Sequence, residues 1–263
     1  MSSSSSSSKH PQASLNHTLV SMPTRDQSDR AEALLELSIS LIESSIDVLR
    51  SSITTDEQLI RQSTLMPGGT LGKHFRHVIE SFRAFLLPFI PPPSSSSLDQ
   101  NKGTPEINYD SIHPTSRRPI ARSIVSCSHA LEEIRDDLIA FGDIARNFTS
   151  NSDGVGQGVA GESGVKQQRK GLAEMMEMKV NVVAITPTRQ VMGSTVGREL
   201  WYCSLHAIHH FSMLRTIAVH EHGLELPVEF GTAPSTLLYR GLNWKPPNED
   251  KEVRVAVKSK AKL

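Results

Sequence analysis

The sequence predicts an all-α fold: a four-helix bundle with a disordered polar arm before it, long loop insertions within it and an irregular charged tail after it. Three observations predict this. Four stretches repeat apolar residues at spacings of three and four. Breaks rich in Pro, Gly and Ser, of unequal length, separate them. Hydrophobic residues make up 37% of the 263 residues, which is low for a wholly compact chain and fits one domain with insertions better than two domains.

Residues 1–28 are Ser-rich and aperiodic, and read as a disordered arm. The bundle then occupies 29–240. Its first helix runs from about Arg30 to Ile53, with Ala31, Leu34, Leu35, Leu41, Ile42, Leu49 and Ile53 near a 3.6-residue period. Residues 54–69 form a connection that ends at Pro67-Gly68-Gly69. The second helix spans about Leu71 to Phe89 and carries Phe75, Val78, Phe82, Phe85 and Leu86. Pro91-Pro92-Pro93 closes it and opens a polar insertion over 91–116. The third helix starts near Pro119, and Ile120, Ile124, Cys127, Leu131, Ile134, Leu138 and Phe141 form its seam. A Gly-, Ser- and Gln-rich stretch makes a second flexible insertion over 148–178. Val180 to Ile185 is a short β-branched run, read as a strand or an extended lead-in. The fourth helix covers about Thr195 to His220 and stops before Gly223 and Pro227, with Val196, Leu200, Cys203, Ala207, Leu214 and Ile217 along one side. Residues 241–263 read as a charged tail.

Composition excludes some partners. Lys plus Arg and Asp plus Glu are both 28, so the net charge is zero and the cationic excess that phosphate binding needs is missing. Nucleic acid is therefore not expected as a partner. No apolar run reaches the length of a membrane span, so no membrane is expected either. Two cysteines, Cys127 and Cys203, are too few for a disulfide framework, which points to a reducing compartment. The last three residues, Ala261-Lys262-Leu263, match the small-basic-Leu pattern of a peroxisomal address, so the expected location is cytoplasmic or peroxisomal.

The chemistry concentrates in histidines. The second helix carries His74 and His77, three apart, and the fourth carries His206, His209 and His210. His206 and His210 are one turn apart and share a face, the spacing at which two imidazoles close on one divalent ion. His210 also takes a position in the core repeat, where an imidazole needs a polar partner. A third ligand from the second helix completes a facial set with open positions for water or substrate. His77, mid-helix beside Val78, is the preferred one, with His74 as the alternative. Cys203, three before His206, is an alternative soft ligand. Glu199, two turns before His206, is the candidate catalytic carboxylate, able to polarise a bound water or to hold a ligand ring. His209 reads as a polar neighbour. His220 and His222 suit the helix C-terminus, and His10, His17, His113 and His129 read as surface.

The segments Gly72-Lys73-His74-Phe75-Arg76-His77-Val78-Ile79-Glu80 and Glu199 through His210 together resemble the DinB-like superfamily, continuing to Phe230-Gly231-Thr232-Ala233-Pro234-Ser235-Thr236 in an uncharacterised branch of it. The resemblance covers roughly residues 30–225. It implies a four-helix bundle, often a homodimer, whose second-helix His and later H-x3-H pair hold a divalent metal: zinc foremost, with nickel or iron as alternatives. Carried onto this chain, the ligands are His77, His206 and His210. The resemblance further implies a small-molecule substrate and transfer of a low-molecular-weight thiol such as glutathione. The two insertions depart from the compact family pattern. The alternatives are a metal-dependent hydrolase and a non-catalytic bundle in which a metal or a histidine cluster ties helices together.

Other motifs fail. Pro67 to His74 lacks the residues of a P-loop, the glycines from 154 to 161 do not sit between a strand and a helix, and Ser204 beside His206 is no nucleophile–base pair.

Overall fold

A computed structural model describes residues 26–90, 103–110, 117–148, 164–185 and 187–239. Those residues form a mainly helical fold of eight helices with one small sheet. The long helices are α1 (Gln27–Ser51), α3 (Leu71–Leu86), α5 (Ile124–Arg146) and α7 (Val196–His222). Helix α1 packs on α5 and α7, and α3 packs on α7 and α5. Most of the expected seam positions are buried between them, with Leu34, Leu41 and Ile124 partly buried. Cys127, Leu131, Ile134, Leu138 and Phe141 of α5 are fully buried, as are Val196, Leu200, Cys203, Ala207, Leu214 and Ile217 of α7. Phe75, Phe82, Phe85, Phe141 and Phe211 fill the centre, each side chain contributing about 2–3 kcal/mol by leaving water.

Local chemistry starts the helices. Thr70 caps α3 by accepting from Lys73 N at 3.1 Å, and Thr195 caps α7 by accepting from Arg198 N at 3.3 Å. Helix α7 ends at Gly223, whose φ of 66° is the left-handed conformation that suits a residue without Cβ.

Several expectations are corrected. The connection 54–69 contains a short helix, α2 (Asp56–Ile60), because Thr55 and Gln58 form a reciprocal capping box. Residues 164–177 of the expected second insertion form α6 (Gly164–Glu177), which packs on α1, α5 and α7. The reason is that Leu172, Ala173, Met175 and Met176 restore a helical apolar face after the glycines end. The β-branched run is a strand as expected, β2 (Lys179–Ala184), but it pairs antiparallel with a strand that was not expected, β3 (Gln190–Thr195), which leads directly into α7. The first insertion touches down as β1 (Glu106–Ile107), parallel to β2 with Glu106 opposite Asn181. Short helices α4 (Arg117–Ile120) and α8 (Pro234–Tyr239) complete the set.

Among the described residues no helix is long and apolar enough to cross a membrane. The Ser-rich arm to residue 25, His10, His17, His113 and the tail with Ala261-Lys262-Leu263 lie outside the described residues.

Candidate functional site

Helices α3 and α7 face each other closely, and their histidines meet at that interface. His74, His77, His206 and His210 are brought together around His210. The ring centroid of His210 lies 4.5 Å from His206, 5.1 Å from His77 and 5.3 Å from His74. His74 and His210 are the inner, buried pair, and their Nδ1 atoms lie 3.0 Å apart in a hydrogen bond. His206 is half-buried and His77 is exposed, so the cluster opens to solvent on that side. His209 is exposed, with its ring edge-on to His210 at 5.6 Å, and stands beside the cluster as a polar neighbour.

Burial and mutual proximity favour the neutral form of His74, His206 and His210. Desolvation, followed by the neighbouring His77 and His209, lowers His74 from 6.5 to about 4. Desolvation, followed by His206, His77, His74 and His209, lowers His210 from 6.5 to about 3. His206 is lowered too, first by desolvation and then by His77 and His209. Neutral imidazoles keep one lone pair each, the form in which they ligate metals. His74 Nε2 is buried without a hydrogen-bond partner. As the side chains stand, no group of three or more His, Cys, Asp or Glu among the described residues is arranged to close on an ion.

Glu199 is not brought into the cluster by its hydrogen bonds. Its fully buried carboxyl group accepts from Tyr109 Oη at 2.9 Å, Ser194 Oγ at 2.6 Å and Arg198 Nη1 at 2.7 Å. It therefore ties the 103–110 segment, β3 and α7 together. Its connection to the histidines runs through packed rings: Tyr109 lies against Tyr202 at 5.0 Å, and Tyr202 stacks on His206 at 5.7 Å. Cys203 is also turned away. Its Sγ is 3.6 Å from both Ser81 O and Tyr109 Oη, and burial pushes the thiol up to about 12, so it stays protonated. His222 is half-buried elsewhere, its pKa lowered by desolvation and by Arg61. His129 meets Glu133 on the surface at 3.1 Å.

Sequence reasoning missed Tyr109, Ser194, Arg198 and Tyr202. Tyr202 carried a usable signal, since it precedes His206 by one helical turn. Tyr109 carried none, because it lies 90 residues from Glu199 in a polar insertion. An open cavity of about 250 Å³ lies beside these groups, lined by Tyr109, Asp110, Val182, Met192, Arg198 and Tyr202 among others.

No protein-family model matches the chain, and no solved structure matches it. Over 44 residues the chain is 57% identical to "FK506-binding protein 5" of Rhizopus delemar, a stretch that is 17% of this chain and 11% of that protein. The similarity thus spans about a tenth of that relative's length.

Proposed function

We propose that this chain is a DinB-like four-helix bundle that binds a divalent metal ion, zinc foremost, through His77, His206 and His210. On this reading it acts on a small molecule with a low-molecular-weight thiol such as glutathione. The observation that carries the reading is the meeting of neutral imidazoles from two helices around His210. Imidazoles are common zinc ligands, and the rings of His206 and His77 stand 4.5 and 5.1 Å from that of His210, so closing on one ion requires these side chains to turn.

When bound, the ion would lower the pKa of a coordinated thiol or water toward neutrality. The protein's own residues do the rest. His206 and His77 line the open side, where a small molecule can enter. Tyr202 backs His206 and limits how its ring turns. Glu199 fixes Tyr109 against Tyr202 and so braces that wall from behind. With water in place of a thiol, the same residues would serve a hydrolase.

A second reading rests on the direct His74–His210 hydrogen bond, which satisfies one nitrogen of each ring without an ion. On that reading the cluster only joins α3 to α7. Elemental analysis and zinc titration of protein made without a His tag separate the two. The metal reading expects one zinc per chain, lost in His206→Ala and His210→Ala with the fold retained, and zinc-dependent consumption of glutathione with a model electrophile. A protein that takes up no zinc, and that melts much earlier as His210→Ala, overturns it in favour of the structural joint.

A further inference from the structure

The segment Gln190-Val191-Met192-Gly193-Ser194-Thr195 folds as β3 and carries no charge and no proline. It is also an outer strand: the sheet order is β1-β2-β3, and no strand among the described residues pairs on its other side. The hydrogen bonds tell which main-chain groups face that open side. Val196 N donates to Met178 O at 3.0 Å, and every second pair of the ladder from there is 180 with 194, 182 with 192 and 184 with 190. Bonded pairs alternate along an antiparallel ladder, so residues 190, 192 and 194 direct their main-chain groups to β2. The odd positions of β2 point the other way, as Asn181 N to Pro105 O at 2.8 Å and Ile185 N to Asp110 Oδ2 at 2.7 Å show. Val191 and Gly193 therefore turn both N–H and C=O to the open edge. Natural edges are blunted by a charge, a proline or a covering element. Here Val191, Met192 and Gly193 are exposed, and a Cβ placed on Gly193 would meet no atom within 4 Å. Exposed apolar surface continues onto α7. Met192 and Tyr202 line one cavity, and Leu205 follows Tyr202 by three residues and Trp201 by four, on the same helix face.

We infer that β3 is the seam of a homodimer, in which the β3 strands of two copies pair antiparallel across a two-fold axis and join their sheets into one. Only odd positions bond across this seam. The register that uses Val191 and Gly193 together sets Val191 opposite the partner's Gly193 and Met192 opposite the partner's Met192. All the outward N–H and C=O groups of these two residues are then satisfied. A surface that pairs with itself must be self-complementary. This one is, since β3 is uncharged and Arg189 falls opposite the partner's Thr195. The pairing also closes, because the other edge of the sheet, β1, is only two residues long. Helix α7 favours a whole second copy over a loose peptide. Met192 and Ser194 face α7, Ser194 through its hydrogen bond to Glu199. The two-fold stands perpendicular to the sheet, so both copies keep α7 on one face of it. The Trp201–Leu205 stripes of both helices then lie on the same side of the joined sheet and widen the contact. A stable dimer buries about 800 Å² per partner, more than one short strand supplies. A peptide would cover the strand and leave the stripe bare. The inference does not depend on a metal at the histidines.

Sedimentation of the full chain at micromolar concentration tests it. Wild-type protein is expected at twice the chain mass of 28.9 kDa. Gly193→Pro removes an outward N–H and leaves the β2–β3 ladder intact, and Val191→Lys places a charge on the edge. Both variants should sediment as monomers with unchanged helical circular dichroism. Should Gly193→Pro fail to fold, Val191→Lys decides. Met192→Cys should form a disulfide-linked dimer on oxidation, because residues opposed in a non-bonded pair have Cα atoms about 4.5 Å apart. Val125→Cys, on an exposed position of α5, should not, and the native Cys127 and Cys203 are buried. A wild-type chain that stays monomeric overturns the inference, and so does a dimer that persists in folded Val191→Lys or fails to cross-link through Met192→Cys. A monomer whose Val191 and Gly193 amides are protected from hydrogen exchange overturns it too, and means that another segment of the chain lies on the strand.

Discussion

Tyr109 Oη donates a hydrogen bond to Glu199 Oε2 at 2.9 Å, joining a loop segment to the first turn of α7 across 90 residues of chain. The bond is one of three that converge on a carboxyl group with no solvent exposure. Removing the acceptor takes the carboxylate from Ser194 and leaves Tyr109 only the weak Cys203 Sγ contact at 3.6 Å. Glu199→Ala should therefore cost about 2–3 kcal/mol in urea unfolding. Arg198 has 65% of its side chain exposed, so water replaces its half of the ion pair, and Arg198→Ala should cost less than about 1 kcal/mol. Equal losses for the two variants would show that the carboxyl group is not the centre of this junction.

The inner histidines should resist protonation. Both have folded-state values below the ordinary 6.5, about 4 for His74 and about 3 for His210, with burial as the main cause. The unfolded chain thus takes up protons that the folded chain refuses. Stability is complete above pH 6.5 and is lost as the pH falls toward 4 and 3, by roughly 2–3 kcal/mol for each ring at pH 4.5. Proton NMR of the imidazole C–H resonances measures this directly. Midpoints near 6.5 for both rings would mean the pair is open to water.

The helices were legible because burial imposes period. The α5 seam from Cys127 to Phe141 and the α7 stripe from Val196 to Ile217 need only one covered face, and the sequence writes that face at every third and fourth position. The pairing of His206 with His210 follows from the same period. That His77 and His74 would meet them was readable only from two helices each carrying histidines, and the resemblance supplied the rest. The environment of Glu199 was not legible. Its partners come from β3 and from residue 109, and hydrogen bonds between distant segments leave no periodic trace. Helix α6 was hidden by the glycines before it, although Leu172, Met175 and Met176 already stood at helical spacing. The β2–β3 hairpin was half visible, since β2 is β-branched while the exposed β3 has a mixed composition.

Ser38 of α1 and Ser204 of α7 make a buried contact with Oγ atoms 2.9 Å apart. Each hydroxyl also reaches a carbonyl of its own helix, Ser38 to Leu34 O at 2.9 Å and Ser204 to Leu200 O at 3.0 Å. Three contacts share two hydrogens, so one of them is always short of a donor. Either single alanine variant should cost about 1 kcal/mol, while the double variant should cost less than the sum because both polar groups leave together. A double variant with fully additive losses would mean that the two serines do not depend on each other.

Residues 103–110 have a consequence for how this chain tolerates change in length. Pro105 O accepts from Asn181 N at 2.8 Å, Asp110 Oδ2 accepts from Ile185 N at 2.7 Å, and Tyr109 is fastened to Glu199. The long crossing between α3 and α5 is thus two spans with a fixed pier between them. Residues added to or removed from either span need not disturb the other, nor the aromatic wall behind His206, as long as the pier keeps its moorings.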